Sequence, residues 1–225
     1  MIVTLAGAMS TAEIGRSLSP AIRQQKIHAI CCTGANLEED LFSLVSRSDY
    51  ENITNWRQQT GSDDASLAKR GMNRVTDVAI PEKTIIKIGA KIIELWEEAE
   101  VVGDSRFPHE YFYDLILHSN LEYSSSPEES WLVAAADANL PIFTPGWEDS
   151  TIGNLLSAKV LDCTLKSNSV VRGGLDAMQS LADWYREDDS PTGILQVGGG
   201  ISGDFAISVV PMLNQDAGIE VPLWS

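Results

Sequence analysis

Short apolar runs alternate with longer stretches of helical periodicity along this chain. Residues 2–5 are β-branched and apolar and run into Ala6-Gly7. Residues 28–32 read as a second buried strand ending at Thr33-Gly34, residues 141–145 as a short strand between prolines, and residues 193–197 as a buried strand ending in Gly198-Gly199-Gly200. Brief apolar runs bounded by turn formers are expected of strands covered on both faces.

Between them lie segments of helical spacing. Residues 21–26 look like the end of one helix, and residues 38–45 carry Leu41, Phe42 and Val45 on one side of another. A longer helix is predicted over residues 81–99, with proline in its first turn and apolar positions at Ile85, Ile88, Ile92 and Trp96. Further helices are predicted over residues 107–119, 131–139, 150–161, 169–187 and 204–213, the second of these entered through a capping-box turn at residues 124–129. Residues 46–81 are polar and irregular, and residues 221–224 look like the start of a strand.

Strands separated by helices in this way imply an α/β fold, a doubly wound, mainly parallel sheet with helices on both faces. No linker interrupts residues 1–225, so one domain is expected. Met1 opens directly onto a core strand and Ser225 follows a strand-like start, so the chain reads as a piece of a longer protein, truncated at both ends.

Composition narrows the function. Hydrophobic residues make up 44% and charged residues 21%, which suits a folded protein. No apolar run is long enough to span a membrane and the start has no signal-peptide layout, so a cytoplasmic protein is expected. Cys31, Cys32 and Cys163 form no disulfide framework, and with only three scattered histidines no metal site is expected. The net charge of −16 argues against a nucleic-acid partner and is compatible with cationic ones such as polyamines or basic peptides, although acidity also simply keeps proteins dispersed.

Chemistry is expected beyond the carboxyl ends of the strands, where ligands of open parallel sheets bind. Four such ends carry small or polar residues: 7–15, 33–40, 146–154 and 198–204. Glycines there let backbone N–H groups approach a phosphate, yet none forms a dinucleotide fingerprint or Walker loop, and a triple glycine also suits an ordinary strand–helix turn. Glu38-Glu39-Asp40 and Glu148-Asp149 follow two different strands and could project into one crevice; carboxylates at helix starts are also ordinary helix chemistry. Together these features suit a ligand with a sugar-phosphate part and a cationic part. Trp147, Trp184 and Trp224 could wall a pocket or serve as core, and no Ser-His-Asp arrangement is credible.

At the strand ends the sequence resembles the deoxyhypusine synthase family, more narrowly its bacterial deoxyhypusine-synthase-like branch. The resemblance rests on residues 5–10, 32–40, 145–150 and 198–204 and on Asn73-Arg74-Val75, which occur in family order. It implies a Rossmann-like, NAD-dependent aminobutyl transferase working as a homotetramer with sites at subunit interfaces. Spermidine would be oxidised to an imine by NAD and its aminobutyl group passed through an enzyme lysine to an acceptor amine. That acceptor would be a lysine of the hypusine-bearing translation factor or, in bacterial relatives, putrescine, giving homospermidine.

By matching position, Thr11, Ala12, Glu13, Ile14, Gly15, Thr33, Gly34, Ala35, Glu39 and Asp149 would touch NAD. Glu38, Glu39, Asn154, Gly199 and Asp204 fall where the family binds the polyamine. Asn154 stands where eukaryotic members have aspartate and Asp204 where they have histidine. The family's Trp-Gly-Lys segment, which holds its nucleophilic lysine, is not found, so no catalytic residue is placed within residues 1–225. Two other readings stand beside the transferase: a non-catalytic NAD- and polyamine-binding fragment or subunit, and an unrelated Rossmann-like nucleotide-binding enzyme.

Overall fold

The computed structural model describes residues 1–187 and 190–225. In chain order its elements are β1 (Ile2–Leu5), α1 (Gly15–Arg23), β2 (Ala29–Cys32), α2 (Gly34–Ser46), β3 (Glu51–Asn52), α3 (Gly61–Lys69), β4 (Met72–Val75) and β5 (Val78–Pro81). They continue with α4 (Glu82–Val102), α5 (Pro108–His118), α6 (Trp131–Asp137), β6 (Ile142–Phe143), α7 (Thr151–Leu161), α8 (Gly174–Arg186), β7 (Ile194–Val197) and α9 (Ile201–Pro211).

The apolar runs form one parallel sheet in the order β6-β2-β1-β7. Alternate side chains enter opposite cores. Val3, Leu5, Ile30, Cys32 and Ile142 pack with Leu18 of α1, Leu37 and Leu41 of α2, and Trp131 of α6. Ile2, Ala29, Cys31 and Phe143 pack with Leu181 of α8 and Val209 of α9 on the other face. Because both faces are covered, β1 and β2 read as unbroken apolar runs instead of alternating ones. Helices therefore flank both faces, as expected of a doubly wound sheet.

This order sets a topological switch point. β2 and β6 lie on one side of β1 and β7 lies on the other. The chain leaving β1 enters α1 on the first core, whereas the chain leaving β7 enters α9 on the second. Ligands of open sheets bind where connections diverge to opposite faces, here above the segments after β1 and β7, which meet closely at Ala6 and Gly198.

Several expectations need correction. The region over 46–81 is not irregular: β3, β5 and β4 form an antiparallel sheet, with α3 beside it. Its core is only Leu67, Met72 and Ala79 with Ile53 against them, so its strands keep polar positions such as Asn73 and Arg74 and show little periodicity. Arg74 holds it together by a bidentate pair to Asp64 at 2.5 and 2.8 Å. β7 is not a buried strand either, since Leu195 is 48% exposed. Among the described residues its one neighbour in the sheet order is β1, so it lies at the edge of the sheet.

Helix boundaries move as well. α1 stops at Arg23, ahead of Gln25 at φ 56°, and α8 starts at Gly174 after a separate 3-10 turn at Asn168–Val170. Residues 221–224 form no strand; only Ser225 pairs, donating to Thr192 O at 3.1 Å and accepting from Ile194 N–H at 3.2 Å. The three tryptophans pack against other rings: Trp147 on Trp96, Trp184 on Phe143 and Trp224 on Tyr185. Among the described residues no helix is long and apolar enough to cross a membrane.

Candidate functional site

All four parallel strands deliver their carboxyl ends to one rim of the sheet, so the four predicted segments converge there. α2 organises them. Thr33 caps it, accepting from Asn36 N–H, while its own hydroxyl donates to Gly7 O at 2.6 Å. Asn36 is fully buried and stitches the segment after β1 onto α2. Its amide donates toward the carbonyls of Ala6 at 3.1 Å and Gly7 at 2.9 Å, and its oxygen accepts from Ser10 N–H at 3.0 Å. Ser10 Oγ in turn donates to Asn36 O and accepts from Trp131 Nε1.

Next along the helix come three consecutive acids, Glu38, Glu39 and Asp40, which are 4%, 7% and 5% exposed. Each finds different donors. Glu38 accepts from the N–H groups of Thr151 at 2.9 Å and Ile152 at 2.8 Å, capping α7. Glu39 accepts the Thr11 hydroxyl in a short hydrogen bond. Asp40 accepts from Ser130 Oγ at 2.5 Å and Leu132 N–H at 3.1 Å, fastening the start of α6.

Burial disfavours the charged form of each carboxylate. It pushes Glu39 up to about 7, the Thr11 hydroxyl offsetting part of the effect and the neighbouring Glu38 charge adding to it. Asp40 rises to about 6 because burial outweighs the Ser130 bond, and Glu38 is raised by burial against its two helix N–H donors.

The remaining predicted residues divide into two groups. Asp149, Asn154, Gly199 and Asp204 are exposed on the rim. The Asn154 amide donates to Glu148 O at 2.9 Å and Ser150 O at 2.8 Å, which sets the turn into α7. Gly199 has open space where a Cβ would project. Ala12 is exposed, and Ala35 is half-buried on the first turn of α2.

The other group is engaged within the protein. Glu13 takes Arg47 Nε at 2.8 Å and Nη2 at 2.5 Å and also pairs with Arg16 at 3.1 Å. Ile14 packs on the first core. A Cβ on Gly15 would stand 2.2 Å from Glu129 O, and one on Gly34 would stand 2.7 Å from Ser150 Cβ. Both glycines thus let helices approach each other closely. A polar cavity of about 140 Å³ opens beside this network, lined by Ser10, Glu13, Arg16, Asp40, Arg47 and Ser130 among others.

Sequence reasoning missed Asn36 and Ser130 as site-shaping residues. For Asn36 the available signal was a polar residue three places after the cap, on the turn that faces the sheet.

Comparison with known proteins bears on this arrangement. The profile of the family described as deoxyhypusine synthase matches residues 1–222. The chain belongs to the deoxyhypusine synthase family. Among curated relatives of this family, "Probable deoxyhypusine synthase 2" of Methanosarcina mazei is 28% identical over 99% of this chain and 60% of its own length. A "Deoxyhypusine synthase-like protein" of a Cyanothece species is 27% identical over 97% of this chain and 54% of its own length. The chain thus spans little more than half the length of these relatives. A solved structure from Entamoeba histolytica, assigned as a deoxyhypusine synthase, superposes with a TM-score of 0.59 at 16% identity, covering 88% of this chain and 57% of that one. At that identity it speaks for the fold.

Proposed function

We propose that this chain forms the NAD- and polyamine-binding part of an NAD-dependent aminobutyl transferase. The observation that carries the reading is the rim itself: the phosphate-suited glycine turn and exposed carboxylates stand together at the switch point of a deoxyhypusine synthase family sheet.

The residues present fit a dinucleotide. Gly200, at φ 72°, opens α9 without a side-chain cap, so the helix's first-turn N–H groups can receive a pyrophosphate, and the open space at Gly199 lets the ligand approach. Asp149, exposed after β6, can accept ribose hydroxyls. When bound, NAD supplies hydride transfer. The cavity of about 140 Å³ is too small for a dinucleotide, so the ligand would lie on an open shelf. Such a shelf supports sites completed across subunits of a homotetramer.

Glu39 and Asp204 supply the negative charge that an ammonium group needs, with Asn154 as a neutral neighbour. Glu39 titrates at about 7, so it can hold an amine as a carboxylate or take up the proton the amine gives away. Glu38 would act through α7, whose first turn it caps, and thereby position Asp149 and Asn154. Residues 6–15, 33–40, 144–154 and 198–204 contain no lysine, which favours a second reading in which this chain binds both ligands and the transfer step belongs elsewhere.

Isothermal titration of the folded chain with NAD, then with spermidine and putrescine, tests the binding reading. Micromolar NAD affinity lost in Asp149→Ala is the expected result, and a folded chain that takes up no NAD overturns it. A radiolabelled spermidine transfer assay separates the two readings: turnover by the isolated chain sinks the binding-only one.

A further inference from the structure

The segment after β1 reverses direction in one tight turn. Ile14 N–H returns to Met9 O at 3.3 Å and Glu13 N–H to Ser10 O at 3.0 Å. This nested pair is the pattern that commonly ends helices on a left-handed residue, a place usually given to glycine because a Cβ strains it. Here the left-handed residue is Glu13, at φ 60°. A side chain kept there against that strain needs contacts that over-determine it.

Glu13 has such contacts. Its Oε1 accepts from Arg47 Nε at 2.8 Å and Nη2 at 2.5 Å, and its Oε2 pairs at 3.1 Å with Arg16, which also reaches Glu129 at 3.1 Å. The Glu13 and Arg47 side chains are each 29% exposed, so water weakens their pair less than it would one on the open surface. Glu13, Arg16 and Arg47 all line the polar cavity, so on this side the turn meets charged groups and not a packed core. Arg47 directly follows the last residue of α2. Inside the turn, the Thr11 hydroxyl donates to Glu39 of the same helix. The turn is thus tied to α2 at two points about two helical turns apart, and Glu13 makes the tie at the helix end.

We propose that Glu13 is a positioning residue: its ion pair with Arg47 clamps the Met9–Ile14 turn to α2 and so keeps the Thr11 hydroxyl on the Glu39 carboxylate. The effect on amine binding rests on the polyamine reading above; the clamp does not. Glycine would form the turn more easily but leave it unfastened, which accounts for a glutamate at a glycine position. The titratable groups coupled to Glu39 are Glu38 on its own helix and Tyr50 beyond the end of α2.

The test is Glu13→Gly, which relieves the backbone and removes the clamp. Carboxyl ¹³C NMR of glutamate-labelled protein follows Glu39, identified with Glu39→Gln, through a pH titration. Loss of the Thr11 donor raises the Glu39 midpoint by about one pH unit in Glu13→Gly and in Thr11→Val alike, and the double variant moves no further than either. Removing a negative charge and freeing Arg47 would by themselves lower that midpoint, so a rise reports the displaced hydroxyl. With Glu39 starting at about 7, its ionised share at pH 7 and with it spermidine affinity fall about fivefold. An unchanged thermal unfolding midpoint, expected because glycine is at ease in the left-handed region, shows that the shift does not come from unfolding. A Glu39 titration in Glu13→Gly that superimposes on the wild type, or moves down, overturns the proposal. If wild-type protein takes up no spermidine while the midpoint still rises in Glu13→Gly, the polyamine reading falls and the clamp stands.

Discussion

Asn36 offers the sharpest test of how the site is built. Its side chain is fully buried and serves backbone groups that have no other partner among the described residues, the N–H of Ser10 and the carbonyl of Ala6. Asn36→Ala leaves both unpaired, and each such group costs about 1–3 kcal/mol. The expected loss is therefore about 2–6 kcal/mol, a large share of the roughly 5–15 kcal/mol that holds a domain together. Asn36→Asp keeps the acceptor for Ser10 but turns a carboxylate toward the carbonyls of Ala6 and Gly7, which the amide now serves. Burial and those oxygens raise the pKa of the new carboxyl in the folded state. Its ionised form is then a burden above that pKa, relieved as the pH falls and an O–H donor is regained. Urea unfolding followed by tryptophan fluorescence measures both variants, and Trp131 reports locally through its bond to Ser10 Oγ. Less than about 1 kcal/mol lost in Asn36→Ala would refute the stitching role. So would an Asn36→Asp penalty that does not change with pH.

The glycines separate packing from ligand approach. A Cβ on Gly153 would stand 2.4 Å from Trp147 O, so Gly153→Ala should cost about 1–3 kcal/mol in the same unfolding assay. Gly199→Ala meets nothing within 4 Å and should leave stability within about 0.5 kcal/mol, while NAD affinity by titration falls about tenfold. His109 is held to about 3 by burial against an ordinary 6.5, so the unfolded chain binds its proton first as the pH drops. That stability is present above pH 6.5 and is lost as the pH falls toward 3, about 2 kcal/mol by pH 5. His109→Phe, beside the stacked ring of Phe107, should flatten the decline, and an unchanged pH–stability curve would count against it.

How much of this was legible depended on burial. β1 and β2 are fully buried and, Leu5 apart, β-branched or small, so their type and place could be read directly. β3 and β4 could not, because a two-residue strand and the half-polar Met72–Val75 leave no periodic signal, and their pairing is fixed by Arg74 and a three-residue core. Exposure misled for β7, whose apolar residues gave no sign that it lies at an edge. At the site, the glycine turns and acids were visible as types. What each acid faces was not, since that depends on contacts with α6 and α7, which lie about 90 or more residues away in sequence.

Those contacts change the meaning of the acidic run. Read as a string, Glu38-Glu39-Asp40 is one patch of charge. Successive residues on a helix point about 100° apart, so three neighbours on α2 address three different directions. Glu38 reaches the first turn of α7, Glu39 the segment after β1, and Asp40 the first turn of α6. Two of them are anchors whose charge is spent on backbone N–H groups. Glu39 instead accepts a hydroxyl and is committed to no helix start. On the proposed polyamine reading, a cation brought to this rim would therefore meet one α2 carboxylate, Glu39, and not three. The flanking acids contribute by fixing the helices that carry the rest of the site.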